Sequence, residues 1–163
     1  MHGDVDFAAP PPRRIGALAL IRSADADGAV LVVEKRYRSG RERYGLVGGG
    51  AHGGESAAAA CAREVLEETG LTVVPRRVLA VHYMPARSGS AEGYNVVFDC
   101  GTVDRSTPIT LPPDELVGYR WLSPDRFDDV LAPYQALRVR ASVEALSTGR
   151  VLFLEGHPEV SRP

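Results

Sequence analysis

The feature that most constrains this 163-residue chain is a glycine-rich loop that runs directly into a helix carrying several glutamates. It extends from Gly48 to Leu71 and reads GGGAHGGESAAAACAREVLEETGL. Ser56 is a suitable N-cap, the alanines after it favour a helix, and Gly70 stands where a helix would end. The stretch therefore predicts a loop with few side chains followed by one well-delimited helix.

The acidic residues of this helix are predicted to share one side of it. At about 100° per residue, Glu64, Glu67 and Glu68 fall on one arc. The opposite arc, expected to face the core, carries Cys61, Val65, Ala58, Thr69, Ala62 and Leu66. Carboxylates at this spacing repel one another unless a cation or a basic group lies among them, and hard ions such as Mg²⁺ prefer oxygen ligands. A glycine loop entering a helix also lets backbone N–H groups approach a phosphate. The segment thus predicts a metal and phosphate site, with a solvated acidic helix face as the ordinary alternative.

The spacing of the whole stretch resembles the Nudix box, G-x5-E-x7-R-E-U-x-E-E-x-G-U, in which U is apolar. Every defined position is filled here, by Gly49, Glu55, Arg63, Glu64, Val65, Glu67, Glu68, Gly70 and Leu71. Two flanking positions depart from common members of the family. Val47 stands where many have proline, and His52 stands where many have another glutamate.

The resemblance implies an α+β fold, an α-β-α sandwich built on a mixed β-sheet with a catalytic loop-helix-loop. It also implies hydrolysis of a pyrophosphate bond in a nucleoside diphosphate linked to another group, with Mg²⁺, or alternatively Mn²⁺, as the cofactor. The substrate remains open between ADP-ribose, another nucleotide sugar and a modified deoxynucleoside triphosphate. Homodimers are common in this family, so a homodimer is an expectation from the resemblance.

The resemblance also assigns roles to residues of the box. Glu67 and Glu68 would be the main metal ligands, and Glu64 would be either a ligand or the general base. Arg63 would orient a neighbouring carboxylate. Further metal contacts are expected from Glu55 and from the backbone carbonyl of Gly48.

Acidic residues outside the box provide a second set of candidates for the general base, because some family members recruit it from another loop. Glu92, Asp114 and Glu115 are the candidates here, and Glu115 is preferred among them. Two histidines titrate near neutrality when unperturbed. We interpret His82 as a hydrogen-bonded strand residue and His52 as a loop residue without a catalytic role.

A basic loop precedes the box, and we predict that it binds the substrate. Its members Arg36, Arg41 and Arg43 could hold phosphates, and Tyr44 could stack on a base. A loop of solvated arginines is the alternative.

Composition limits the classes of partner. The formal net charge is −2, which gives no support for binding nucleic acid through a basic surface. Cys61 and Cys100 lack the spacing of a zinc motif, and we expect both to be small buried residues. No apolar run reaches the length of a membrane span, so a cytoplasmic protein without a membrane partner is expected.

We expect residues 1–14 to form a flexible arm, residues 15–158 a single domain and residues 159–163 a tail. Apolar and β-branched runs predict strands over residues 15–22, 29–35, 44–47, 78–84, 94–103, 116–122 and 151–154.

The connections between these strands are also predicted. The first two strands resemble a hairpin across residues 25–28, and residues 71–77 resemble an edge segment interrupted at Pro75. A second helix is expected over residues 133–147.

Two other classes of function compete with the hydrolase. Loss of a carboxylate from the box would favour a catalytically silent nucleotide-binding sensor of the same fold, and none is missing here. An isoprenyl diphosphate isomerase would need a reactive cysteine in the site. Cys61 is predicted on the side of the helix away from the glutamates, and the facing of Cys100 is left open.

Overall fold

Seven strands and three α-helices make up residues 6–158, the part of the chain that the computed structural model describes. The strands are β1 (Arg14–Ser23), β2 (Val30–Lys35), β3 (Tyr44–Gly50), β4 (Val78–Met84), β5 (Gly93–Val103), β6 (Leu116–Leu122) and β7 (Leu152–Glu155). The helices are α1 (Ala57–Thr69), α2 (Phe127–Val130) and α3 (Pro133–Thr148), accompanied by short 3-10 helices at Gly40–Arg43 and Pro124–Arg126. The predicted tail and the first five residues of the predicted arm lie outside the described residues.

The strands form one mixed sheet in the order β6-β2-β3-β1-β5-β4-β7. The pairs β1–β5 and β4–β7 are parallel, and the other neighbours are antiparallel. Because side chains alternate along a strand, the central strand β1 feeds two separate cores. Leu18 and Leu20 face one helical layer, whereas Ala19 and Ile21 face the other. This arrangement confirms the predicted α-β-α sandwich.

Each core belongs to a different helix. The first is closed by α2, α3 and the connection between them through Phe127, Val130, Leu131, Ala136, Val139 and Ala145. The second is closed by α1 through Ala60, Cys61 and Val65. The predicted burial of both cysteines is confirmed, since Cys61 and Cys100 are buried with their Sγ atoms 3.8 Å apart. None of the helices in residues 6–158 combines the length and apolar character that a membrane span requires.

The ends of α1 follow the local signals in its sequence. The Oγ of Ser56 accepts a hydrogen bond from the N–H of Ala59 at 3.1 Å, which satisfies one donor of the first turn. Gly70 adopts a left-handed φ of 74° and its N–H donates to the carbonyl of Leu66. The second predicted helix is also confirmed, beginning at Pro133 and ending before Gly149.

Three predicted details of the sheet are wrong. β1 and β2 share only the pair Arg22–Val30, because β3 lies between them for the rest of their length. β3 itself does not stop at Val47 but continues to Gly50, since its glycines pair with β1. Residues 71–77 form no strand, because Pro75 cannot donate to a ladder.

The facing of α1 also differs from the predicted arc. Leu66, expected in the core, is 54% exposed, whereas Glu68 is only 5% exposed. The helix is therefore turned so that Glu68 points toward the sheet. This orientation is sterically possible because β3 presents glycines at the position where Glu68 meets it.

Candidate active site

The glycines at the end of β3 receive the carboxylates of α1. The N–H of Gly48 donates to Oε2 of Glu68 at 2.9 Å. Gly48 has a φ of 141°, and a Cβ there would lie 2.1 Å from the carbonyl oxygen of Ala17, so only glycine fits. A Cβ at Gly49 would lie 2.6 Å from the carboxyl carbon of Glu64. The absence of side chains thus lets both carboxylates approach the strand.

Arg63 connects the remaining acidic residues of the box. Its guanidinium donates to both carboxylate oxygens of Glu55, at 2.8 and 2.9 Å. It also donates to Glu64 at 3.0 Å, to Glu67 at 3.1 Å and to the carbonyl of Gly50 at 3.1 Å. Hydrogen bonds from Arg63 and from the backbone of the loop lower the pKa of Glu55 to about 2, and the carboxylates raise the pKa of Arg63. One arginine therefore fixes the loop relative to the helix.

Glu68 differs from its neighbours because it is buried. Desolvation raises its pKa to about 7, although the Gly48 N–H and the charge of Lys35 oppose the shift. The charges of Glu64 and Glu115 raise it further. Among residues 6–158, no cation forms an ion pair with Glu68. A buried carboxylate without such a partner favours the arrival of a cation.

The donor set of the box suits a hard divalent ion, although its side chains are not gathered around one point. Within the described range, no group of three or more His, Cys, Asp or Glu side chains is close enough to hold a metal ion. Arg63 lies among Glu55, Glu64 and Glu67 instead. All available donors are nevertheless oxygens, and Glu68 lacks a counter-charge, so the chemistry of the residues fits Mg²⁺ or a similar ion.

A cavity of about 510 Å³ adjoins the glycines Gly48–Gly50 and extends between the sheet and α3. Its charged lining is mostly cationic and comprises Arg14, Lys35, Arg38, Arg87, Arg138 and one acid, Glu42. The excess of positive charge suits a ligand with several negative charges. The glycines form the wall shared by this cavity and the carboxylates of α1.

The residues predicted to bind substrate lie away from this cavity. Arg36 donates to the carbonyl of Pro113, Arg41 donates to the carbonyl of Asp128, and Arg43 lies 3.5 Å from Glu34. Tyr44 is buried in the core, where its hydroxyl accepts a hydrogen bond from Arg120.

Other members of the same loop, Lys35, Tyr37 and Arg38, line the cavity instead. The composition of the loop therefore indicates a basic wall, but it does not show which side chains turn inward.

The candidate acids outside the box lie in different environments. Glu92 accepts hydrogen bonds from Arg13 at 2.8 Å and from the hydroxyl of Tyr83 at 2.7 Å, which lower its pKa. Asp114 is exposed in the loop before β6. Glu115, in the same loop, is close enough for its charge to raise the pKa of Glu68. Of the three, Glu115 is the acid that the fold brings near the box.

The two histidines differ in burial. His82 is fully buried on β4, where Nε2 contacts the carbonyl of Gly156 at 2.7 Å and Nδ1 accepts from Arg138 at 3.1 Å. Burial, with the charge of Arg138 second, lowers the pKa of His82 to about 4. His82 is thus the hydrogen-bonded strand residue that was predicted. His52 is exposed, and its backbone N–H donates to Glu55 at 3.0 Å.

The wall contributed by α3 was not predicted. Gln135 and Arg138 line the cavity from this helix, and Arg138 is only 7% exposed. Their spacing from the buried Ser142 and Ala145 follows the helical period. That periodicity is the signal which places Arg138 on the buried side of α3.

Comparison with known proteins agrees with this geometry. The family model of the NUDIX domain matches residues 12–143. A MutT protein from Methanosarcina mazei Go1 is 27% identical, covering 84% of this chain and 97% of its own, with a TM-score of 0.70. An ADP-ribose pyrophosphatase from Streptococcus suis is 20% identical (87% and 99% covered, TM-score 0.61), and a UDP-X diphosphatase is 18% identical (90% and 68% covered, TM-score 0.68). The latter two share the fold. No curated protein sequence matches this chain significantly.

The match over most of the chain shows that this protein belongs to the Nudix family. It is thus a hydrolase of the pyrophosphatase class, as predicted from the box. Hydrolases of this family generally use divalent metal ions.

The cysteines do not support the isomerase alternative. Cys61 and Cys100 face each other in the core beneath α1, and neither lines the large cavity beside the glycines. The sequence did not show whether Cys100 points toward the site or the core, and the fold shows that it points into the core.

The contact between Gly49 and Glu64 can be tested by adding one methyl group. Gly49→Ala should displace the Glu64 carboxylate and lower kcat on the order of 100-fold, because small displacements of catalytic groups have effects of this size. Gly53→Ala is the matched control, since nothing lies within 4 Å of a Cβ at that position and Gly53 does not line the cavity. Steady-state kinetics and thermal melting of both variants provide the measurement. Equal activity in the two variants would contradict this prediction.

Because Glu68 is buried, we predict that the folded protein becomes less stable as the pH rises and this carboxyl loses its proton. Its folded-state pKa of about 7 lies above the ordinary 4.5, so folded protein binds a proton that the unfolded chain releases. The stabilising contribution is complete below pH 4.5 and is lost as the pH rises through 7. In EDTA, Glu68→Gln should therefore melt several degrees above the unsubstituted protein at about pH 8, and the difference should shrink at about pH 5.

Glu67→Gln is the control for this experiment, because Glu67 is exposed and carries the same charge. Its melting temperature should follow that of the unsubstituted protein at both pH values. A pH-independent difference for Glu68→Gln would contradict the prediction.

Proposed function

We propose that this protein is a Mg²⁺-dependent pyrophosphatase that cleaves a nucleoside diphosphate linked to another group. The observation that supports this proposal most strongly is that Gly48–Gly50 of β3 lie between the two parts of the site. The acidic residues of α1 pack against these glycines, and the same glycines line the cationic cavity. A nucleotide bound in the cavity would present its phosphates to the glycines. Two of the similar structures, an ADP-ribose pyrophosphatase and a UDP-X diphosphatase, act on substrates of this class, which supports the proposal.

The residues of the Nudix box are proposed to hold the metal ion. Glu67 and Glu68 are proposed to hold the metal ion, with Glu64, Glu55 and the carbonyl of Gly48 as further ligands. A bound Mg²⁺ supplies charge neutralisation for the phosphate oxygens and increases the acidity of water.

Arg63 supports this arrangement through its hydrogen bonds to Glu64 and Glu67, which limit the positions those carboxylates can take. Lys35 and Arg38 are proposed to neutralise the phosphates from the cavity wall. The assignment of Arg36, Arg41, Arg43 and Tyr44 to substrate binding stays a prediction from the sequence.

Two carboxylates remain candidates for the general base. Glu64 lies against Gly49, at the wall of the cavity. Glu115 lies in the loop before β6, and its charge acts on Glu68. Replacing each by glutamine separates them, because the base is required for water attack whereas a neighbouring charge only modulates it. The homodimer and the cytoplasmic location also stay predictions.

The function is tested by phosphate release from a panel of nucleotides in the presence of a coupling phosphatase. The panel contains ADP-ribose, nucleotide sugars, dinucleoside polyphosphates, and canonical and oxidised dNTPs, each with Mg²⁺ or Mn²⁺. At least one of them should be hydrolysed, and Glu68→Gln should lower its kcat at least about 100-fold because a metal ligand is lost. Glu144→Gln, an exposed acid of α3, is the matched control and should retain full activity.

A binding measurement complements the kinetics. Mg²⁺ should raise the melting temperature of the unsubstituted protein and leave that of Glu68→Gln unchanged. If no nucleotide is hydrolysed while one of them still binds, the hydrolase proposal fails and a nucleotide sensor takes its place.

A further inference from the structure

The cavity wall formed by α3 contains a buried arginine that forms no ion pair with any residue in 6–158. Arg138 lines the cavity and is 7% exposed. Its Nε donates to Nδ1 of the buried His82 at 3.1 Å, and this is its side chain's one hydrogen bond within residues 6–158. Its guanidinium also lies 5.6 Å from the ring centroid of Tyr134. The terminal nitrogens are therefore held in place and have donors available for a ligand.

A second unpartnered polar group lies one helical turn away. The Oε1 atom of Gln135 is buried and has no hydrogen-bond partner among residues 6–158. Gln135 also lines the cavity, opposite Gly45 of β3. Buried polar atoms are rarely left unpaired in folded proteins. An unpaired acceptor beside unpaired donors thus indicates a ligand that offers both kinds of group at adjacent positions.

The walls around these groups favour a flat, largely apolar ligand. The cavity is lined here by Leu18, Leu46, Met84 and Val139, all of them buried. Arg38 and Arg87 also line the cavity but are exposed, which suits phosphates that remain hydrated. A phosphate at Arg138 would be placed against apolar side chains, whereas a nucleobase would bury its faces there.

We propose that Arg138 is a specificity-determining residue that reads O6 and N7 of a 6-oxopurine base, the pair of acceptors found in guanine. The inference rests on the proposed function, because it places a nucleotide in this cavity. A guanidinium donates to both atoms at once, and this is the common way in which arginine recognises guanine. Adenine carries an amino group in place of O6 and would direct a donor at the arginine. The Gln135 acceptor is suited to the N1–H of the same base.

The test is calorimetric binding of GDP, IDP, 7-deaza-GDP and ADP in EDTA, so that hydrolysis plays no part. GDP and IDP, which share O6 and N7, should bind about ten- to a hundredfold more tightly than ADP. The 7-deaza-GDP analogue lacks N7 and should bind more weakly than GDP. These comparisons use the unsubstituted protein, so they do not depend on whether a substituted protein folds.

Two arginine variants then identify the residue. Arg138→Met should reduce the affinity for GDP to that for ADP while leaving ADP binding unchanged. Arg140→Met is the matched control on the same helix, since Arg140 is exposed and bonded to Asp128, and it should keep the preference. If Arg138→Met does not fold, Arg138→Lys keeps the charge, lacks the paired donors and should also lose the preference.

Several results would overturn the proposal. Equal binding of GDP and ADP, absence of binding by all four nucleotides, or a preference that persists in Arg138→Met would each do so. Loss of inorganic pyrophosphate binding in Arg138→Met, together with equal GDP and ADP affinity, would assign Arg138 to phosphate instead. Because binding is measured without metal, a failure of hydrolysis leaves this result intact, and a failure of base preference leaves the hydrolase proposal intact.

Discussion

The candidate site depends on a strand that approaches a helix without side chains between them. Gly48 donates its N–H to Glu68, and Gly49 leaves the space that the Glu64 carboxylate fills. Any larger residue at Gly48 would collide with the carbonyl of Ala17 on β1, so the constraint also reaches the centre of the sheet. The burial of Glu68 follows from this approach, and its raised pKa follows from the burial. Arg63 completes the arrangement by tying the loop and the exposed carboxylates together.

Local signals were sufficient to predict the parts of the fold that local chemistry determines. The ends of α1 could be predicted because Ser56 and Gly70 act on the turns next to them. The order of strands could not, because the insertion of β3 between β1 and β2 depends on pairing between segments distant in sequence. Most strand bounds were nevertheless close, since alternation and composition are properties of the segment itself.

The candidate site shows the same division. The box places its residues by spacing, so Arg63 and the acids of α1 could be named in advance, although their assigned roles remain proposals. The rotation that buries Glu68 and exposes Leu66 is possible because β3 has glycines facing the helix. The sequence of the helix alone does not contain this information. Arg138 was missed because a charged residue in an amphipathic helix is ordinarily solvent-facing. Its helical spacing from Ser142 and Ala145 was the available signal, and the hydrogen bond to His82 shows that it faces inward.

The two cores of the sandwich have a consequence for how such a protein can diversify. The acids of α1 pack with one core and the wall formed by α3 packs with the other, and the two halves of the site meet at three glycines of β3. Under the roles proposed above, substitutions in the α3 layer can therefore change which ligand is recognised without disturbing the carboxylates of α1. Ligand recognition and bond cleavage could then change independently during evolution, because a different layer of the sandwich supports each of them.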